Sequence, residues 1–187
     1  MARKKRKRTK REKSLDPSAD QINALINLYH SGQISQAEQA CRKLLHTYPQ
    51  SLIVLNVLGA VLQKQGQLPQ AVQVFDKMIR LKPDDAVAYS NRGIALKDLG
   101  QLESAVDSYS RAIQLQPDDA QAYNNRGATL RELGQLEVAV DSYNRAIQLL
   151  GQMKEAGVSE KRIDLRGRTP QQEHLAVYQE IDIALDP

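Results

Sequence analysis

Few side chains in this chain have the types and spacing that chemistry requires. The sequence contains three histidines and one cysteine: His30, His46, His174 and Cys41. Their separations match no zinc or other metal-ligand pattern. No GxGxxG or GxxxxGKS/T phosphate-binding pattern is present either. We therefore interpret His30 and His46 as ordinary surface or boundary residues and Cys41 as a small buried hydrophobe.

Two acidic pairs are the remaining candidates for general acid and base catalysis. They are Asp84-Asp85 and Asp118-Asp119, and the second pair follows the first by 34 residues. Each pair stands directly before a predicted helix. Aspartate at such a position caps a helix and complements its dipole. We therefore predict helix caps, not a catalytic centre.

Most of the chain, roughly residues 18–151, shares this period of 34 residues. Gly-Gln-aliphatic occurs four times, beginning at Gly32, Gly66, Gly100 and Gly134. Three further columns keep the period: an alanine column (Ala37, Ala71, Ala105, Ala139), a leucine column (Leu28, Leu62, Leu96, Leu130) and a proline column (Pro49, Pro83, Pro117, with Gly151 in the fourth place). A fixed period of this length predicts stacked repeats, which act mainly through surface recognition.

Each repeat unit is predicted to hold two helices. Apolar residues spaced three and four apart give two amphipathic stretches in residues 86–119, with Gly100 between them and Pro117 at the end. Glycine stops a helix because it accepts a left-handed conformation, and proline lacks the N–H. Gly93 and Ala105 are small residues at positions where we expect two helices to cross closely.

These columns resemble the tetratricopeptide repeat. That pattern is Trp-x2-Leu-Gly-x2-Tyr, then Ala-x3-Phe, then Pro. The third unit shows it as Tyr89-x2-Arg92-Gly93-x2-Leu96, then Ala105-x3-Tyr109, then Pro117; the second and fourth units also match. The sequence departs from the pattern in three ways. It has no Trp, Arg92 and Arg126 replace an apolar residue, and the first unit is weak, with Gln21, Ala24 and Leu25 in place of Trp, Leu and Gly.

The resemblance implies an all-α, right-handed superhelical solenoid of about four helix-turn-helix repeats, closed by a C-terminal capping helix. We divide the chain into a basic tail, four repeats, a loop and a final segment, with the bounds 1–17, 18–51, 52–85, 86–119, 120–153, 154–168 and 169–187. A helix start at Thr169-Pro170 and the apolar residues after it favour the capping helix. The alternative for residues 169–187 is the start of a linker to another domain.

In this family the first helices of successive repeats line a groove that binds a partner. Mapped onto this chain, the groove candidates are Asn56, Asn91, Ile94, Lys97, Asp98, Asn124, Asn125, Arg131 and Glu132. Asn91 and Asn125 could hold a peptide backbone, since an amide donates and accepts. Equally, they could stabilise neighbouring repeats by hydrogen bonding. The Lys and Arg places of the chaperone-carboxylate clamp hold Asn56, Gln121 and Asn125, which argues against that subtype.

The positive charge is concentrated at the N-terminus. The net charge is +4, and residues 3–13 contain nine basic residues: Arg3, Lys4, Lys5, Arg6, Lys7, Arg8, Lys10, Arg11 and Lys13. A run this dense could bind a nucleic-acid backbone, act as a nuclear-targeting cluster or lie on an anionic membrane. It could equally be a solvated tail with weak polyanion contacts. No aromatic residue is interleaved to stack on bases.

We therefore predict a non-catalytic scaffold without a cofactor that binds another protein or peptide segment. Two alternatives stay open: an interaction module of a larger transferase- or oxygenase-type enzyme, and an RNA- or ribosome-associated adaptor that uses the tail. One cysteine, no secretory signal and no apolar run long enough to span a bilayer predict a cytoplasmic protein. A nuclear location is the alternative for a eukaryotic source.

Overall fold

The computed structural model describes residues 16–155, which form an all-α array of helix pairs. In this range the helices are α1 (Ala19–His30), α2 (Ile34–Thr47), α3 (Leu52–Lys64), α4 (Leu68–Leu81), α5 (Ala86–Asp98), α6 (Leu102–Leu115), α7 (Ala120–Glu132) and α8 (Leu136–Glu155). No strand occurs in this range. We call the pairs α1–α2, α3–α4, α5–α6 and α7–α8 repeats one to four. The predicted all-α, helix-turn-helix fold is thus confirmed.

The Gly-Gln column forms the turn inside each repeat. Gly32, Gly66, Gly100 and Gly134 have φ angles between 72° and 76°, the left-handed region that glycine enters without steric cost. The backbone N–H of the following glutamine then reaches back to the leucine column, for example from Gln101 to the Leu96 carbonyl at 2.9 Å. This bond closes the end of each first helix in the Schellman manner. The glycine, glutamine and leucine columns therefore serve one turn.

The first helices begin at side-chain caps. Asp85 Oδ1 accepts hydrogen bonds from the backbone N–H groups of Val87 and Ala88, at 3.1 and 3.3 Å. Asp119 caps α7 in the same way. The second aspartate of each acidic pair is thus the cap, which confirms the prediction for those two residues. At the far end, α8 continues through Gly151 to Glu155 because no proline stops it there.

Small residues on the first helix meet rings on the second. A Cβ atom added to Gly93 would lie 2.7 Å from Cε1 of Tyr109, and one added to Gly127 would lie 3.0 Å from Cδ1 of Tyr143. Gly59 faces Phe75 in the same way. In repeat one the larger residue lies on the first helix. Buried Leu25 occupies the glycine position, and buried Cys41 occupies the ring position.

Alanines and one cysteine complete the helix crossings. Ala105 and Ala139 are buried, as the sequence predicts. Cys41 is a free, buried thiol whose pKa burial raises to about 12, so it stays protonated at neutral pH. These packing columns hold the first helices in a row, and that row forms the candidate site.

Candidate partner-binding groove

The row of first helices places the predicted groove residues side by side. α5 and α7 contact each other directly, as do α1 and α3. The nine predicted residues lie on α3, α5 and α7. They differ widely in exposure, however. Asn56, Asn91 and Asn125 are buried, Ile94, Lys97 and Asn124 are half-buried, and Asp98, Arg131 and Glu132 are exposed.

Asn56 and Asn91 pair with each other across the junction between repeats two and three. The Asn91 Nδ2 group donates to Asn56 Oδ1 at 2.8 Å. Both side chains are at least nine-tenths buried. Of the two sequence alternatives for Asn91, hydrogen bonding between neighbouring repeats is therefore the one seen here. A partner contact by either residue stays a prediction.

Asn125 occupies the place of Asn91 one repeat later, but its surroundings differ. Its Oδ1 atom accepts a hydrogen bond from Gln121 Nε2 at 3.1 Å. Its Nδ2 group has no hydrogen-bond partner among residues 16–155, although the side chain is only 7% exposed. The residue in the Asn56 position is Ser90. A buried donor without a partner costs about 1–3 kcal/mol.

Charged side chains tie the C-terminal ends of the first helices together. Lys97 Nζ on α5 lies 2.9 Å from Glu132 Oε1 on α7. Partial burial raises the pKa of the neighbouring Asp98 carboxyl, the charge of Glu132 acts in the same direction and Lys97 opposes it. Two junctions earlier, between repeats one and two, Lys64 Nζ lies 4.1 Å from the Tyr29 ring centroid. The groove therefore has a charged rim at one end, with Arg131 also exposed there.

Comparison with known proteins identifies the type of repeat. Models described as "TPR repeat" match residues 59–100 and 95–130, and one described as "Tetratricopeptide repeat" matches residues 120–149. The chain belongs to the tetratricopeptide repeat family.

Solved structures of similar fold include MamA proteins and part of a transferase. A MamA double mutant labelled RS-1 is 23% identical, with a TM-score of 0.66, and the match covers 71% of this chain and 75% of that one. MamA residues 41-end from Desulfovibrio magneticus RS-1 are 24% identical, with a TM-score of 0.67 and coverages of 76% and 80%.

The third similar structure is a mutant O-GlcNAc transferase from Thermobaculum terrenum. It is 28% identical, with a TM-score of 0.53, over 60% of this chain but only 22% of the transferase. A search of curated proteins gave no match. At these identities the MamA matches establish the tetratricopeptide fold alone.

Two departures from the family pattern, Arg92 and Arg126, lie on the opposite side of the array from the groove. Arg92 Nε lies 2.7 Å from Asp76 Oδ1 on α4, and Arg92 Nη1 donates to Ser108 Oγ on α6 at 3.0 Å. The angle at Nε is not that of a hydrogen bond, so the contact with Asp76 is an ion pair. Sequence analysis noted these arginines but assigned them no role. The sequence contains a signal that could have distinguished the two arginines. Asp76, an acid that can pair with an arginine, is replaced by Ser110 at the equivalent position of the next repeat.

The last described helix presents an uncovered apolar face. Leu136, Val140 and Ile147 on α8 are 61%, 54% and 64% exposed, together with Val138 at 50%. The residue equivalent to Ile147 on α6 is Ile113, which is only 8% exposed because α7 packs there. The segment predicted to cover this end, residues 169–187, lies outside the described residues. So do the loop before it and the basic tail at 3–13.

The remaining candidates for chemistry are not brought together. His30 and His46 are exposed at the ends of α1 and α2. Within residues 16–155, no three His, Cys, Asp or Glu side chains are grouped as a metal site would require. Across the same range, none of the helices combines the length and apolar character needed to cross a bilayer.

Proposed function

We propose that the repeat array binds a segment of another protein along the groove formed by its first helices. The observation that carries this proposal is the buried Asn125 Nδ2 group, which has no hydrogen-bond partner within residues 16–155. A backbone carbonyl or other acceptor of a bound segment would satisfy that donor and remove its desolvation cost. The equivalent donor one repeat earlier is already used by Asn56.

The surroundings of Asn125 suit a short polar contact flanked by charge. Ile94 and Asn124 are half-buried nearby in the row, and Arg131, Asp98 and the Lys97–Glu132 pair border its end. Polar groups of this kind fix the register of a segment, while partly buried apolar atoms supply contact area. We therefore place the main contact in repeats three and four.

The test compares two asparagine substitutions in the full chain. Asn125→Ala removes the proposed donor, and Asn144→Ala makes the same change at an exposed position of α8. Proteins captured by the wild-type chain and by Asn144→Ala, but lost with Asn125→Ala, are then purified and titrated. We expect Asn125→Ala to weaken binding about tenfold, which corresponds to ~1.4 kcal/mol. Equal affinities for both variants would exclude Asn125 as the contact.

A second proposal is that the array is an interaction module of a larger transferase-type enzyme. The supporting observation is the 28% identity to 22% of the O-GlcNAc transferase chain. The mass of the native protein isolated from its source distinguishes the two proposals. A mass matching the 20.9 kDa chain would contradict the module proposal, and a much larger polypeptide would support it.

A further inference from the structure

Two junctions between successive second helices, α4–α6 and α6–α8, each contain an arginine from the first helix between them in sequence, whereas Leu58 holds this position between α2 and α4. Between α4 and α6 the arginine is Arg92, which bridges Asp76 on one side and Ser108 on the other. The guanidinium charge is therefore compensated within the chain. The ion pair is also partly shielded, since the two side chains are 30% and 35% exposed.

The next crevice between second helices, that of α6 and α8, also contains an arginine, Arg126, but has no aspartate at the position of Asp76. Arg126 Nε donates to Ser142 Oγ at 3.2 Å, whereas Arg92 donates to Ser108 through Nη1. Among residues 16–155 no carboxylate oxygen lies within 4.0 Å of an Arg126 nitrogen. The Asp76 position is occupied by half-buried Ser110. The Tyr123 ring offers a cation–π contact, with its centroid 5.3 Å from Arg126 Cζ.

We propose that the crevice between α6 and α8 binds the carboxylate of an acidic side chain from a protein partner, with Arg126 as its counter-ion. In the preceding crevice an arginine that also bonds to a serine holds a carboxylate 2.7 Å from its Nε atom. Arg126 donates Nε to its serine instead, so a carboxylate would bind at its terminal Nη groups. A half-buried guanidinium binds a carboxylate more strongly than a fully solvated one, because water screens the pair less. Arg126 bonds to a second helix, so this site is separate from the first-helix groove and does not depend on it.

The site is tested by nuclear magnetic resonance on the full chain, with the side-chain Nε–H signal of Arg126 as the readout. The probe is N-acetyl-glutamate amide, and the matched neutral control is the glutamine analogue. Arg126→Lys assigns the signal by removing it. We expect the glutamate probe to shift the signal saturably and the glutamine probe to leave it in place, because only the former carries a carboxylate.

Exchanging the Asp76 and Ser110 side chains between the crevices makes the test specific. Ser110→Asp supplies an internal carboxylate and should weaken probe binding at Arg126 by about tenfold or more. Asp76→Ser empties the earlier crevice and should create a new saturable response at Arg92. Circular dichroism checks that both variants fold. If Ser110→Asp fails to fold, the response of Arg92 in Asp76→Ser is the variant result that tests the proposal.

Four results would overturn the proposal. The first is an equal response to the glutamate and glutamine probes. The second is an unchanged response at Arg126 in folded Ser110→Asp, and the third is no response at Arg92 in Asp76→Ser. The fourth is a saturable shift with inorganic phosphate but none with the glutamate probe, which would assign the site to a phosphate group instead.

Discussion

The junction between repeats two and three and the junction between repeats three and four share their packing but differ in their polar pairs. At the first junction Asn91 bonds to Asn56 and Arg92 pairs with Asp76. At the second, serines take the places of Asn56 and Asp76. Consequently an amide donor on the groove side and a guanidinium on the other side both lack the partner that their counterparts have.

The shared packing inside each repeat shows which columns maintain the fold. Gly93 meets Tyr109 within repeat three, and Gly127 meets Tyr143 within repeat four in the same way. The polar columns change between the same repeats without disturbing that contact. We infer that the glycine and ring columns hold the two helices of each repeat together, and that the polar columns at the junctions are free to vary for recognition.

The largest effect on stability is expected at α8, the last described helix of the array. α8 exposes Leu136, Val140 and Ile147, and full burial of such a side chain stabilises by roughly 1.5–3 kcal/mol. We propose that residues 169–187 cover this face. Deleting residues 158–187 should then lower the melting temperature and promote aggregation, measured by light scattering during thermal unfolding. A truncated chain that stays monomeric and equally stable would favour the linker alternative.

The next largest effect concerns the shared packing. Ala105→Leu should lower the free energy of unfolding by about 1–3 kcal/mol, because α5 and α7 both pack against α6 and leave no room for the added atoms. Ala139→Leu should cost less, since α8 has one uncovered face along which it can shift. Denaturant unfolding measures both variants. Equal costs would show that α8 is as firmly held as α6, and no cost would show that the alanine column is not tightly packed.

Much of the fold could be predicted from the sequence because it depends on short-range periodic features. The glycine turns, the Asp85 and Asp119 caps and the small-to-large packing columns all recur at one spacing, and the structure confirms each. The polar pairs could not be predicted with the same ease. Asn56 and Asn91 are 35 residues apart, one more than the repeat, so their contact depends on how neighbouring helices are staggered.

The burial of the asparagines was harder still to predict. Composition and helical phase place Asn91 and Asn125 on the groove side, but only the packed array shows that both are nearly inaccessible. Their sequence positions are equivalent, and the difference between them arises from a neighbour 35 residues earlier, Asn56 or Ser90. A column considered by itself carries no information about that neighbour.

The two asparagines should therefore differ in stability. Asn91→Ala leaves the buried Asn56 Oδ1 without a donor and should cost about 1–3 kcal/mol. Asn125→Ala removes a donor that has no partner among the described residues and should cost less than about 1 kcal/mol. Chemical denaturation of the two variants provides the comparison. The distinction between the junctions fails if the two costs are equal or reversed.

A smaller effect on the free energy of unfolding is expected from the ion pair between Arg92 and Asp76. Asp76→Ser should reduce stability by about 0.2–1 kcal/mol, because both partners are about a third exposed and water screens them. Ser110→Asp should stabilise the second junction by a similar amount if the new carboxylate reaches Arg126. Raising the salt concentration should diminish both differences. Effects that persist unchanged at high salt would show that packing, not charge, is responsible.

The smallest effect on the repeat array is expected from the basic tail. Deleting residues 1–13 removes nine basic residues and one acidic residue, so it should abolish salt-sensitive binding to polyanions such as RNA. The same deletion should leave unfolding and partner binding through Asn125 unchanged, since none of the repeat contacts described above involves these residues. Titrations at low and moderate salt, with the tail deletion and Asn125→Ala tested separately and together, measure both activities. If the tail deletion alone removes the protein partner, the tail is the main recognition element. The groove is then not the binding site, although the Asn125 Nδ2 group has no hydrogen-bond partner within residues 16–155.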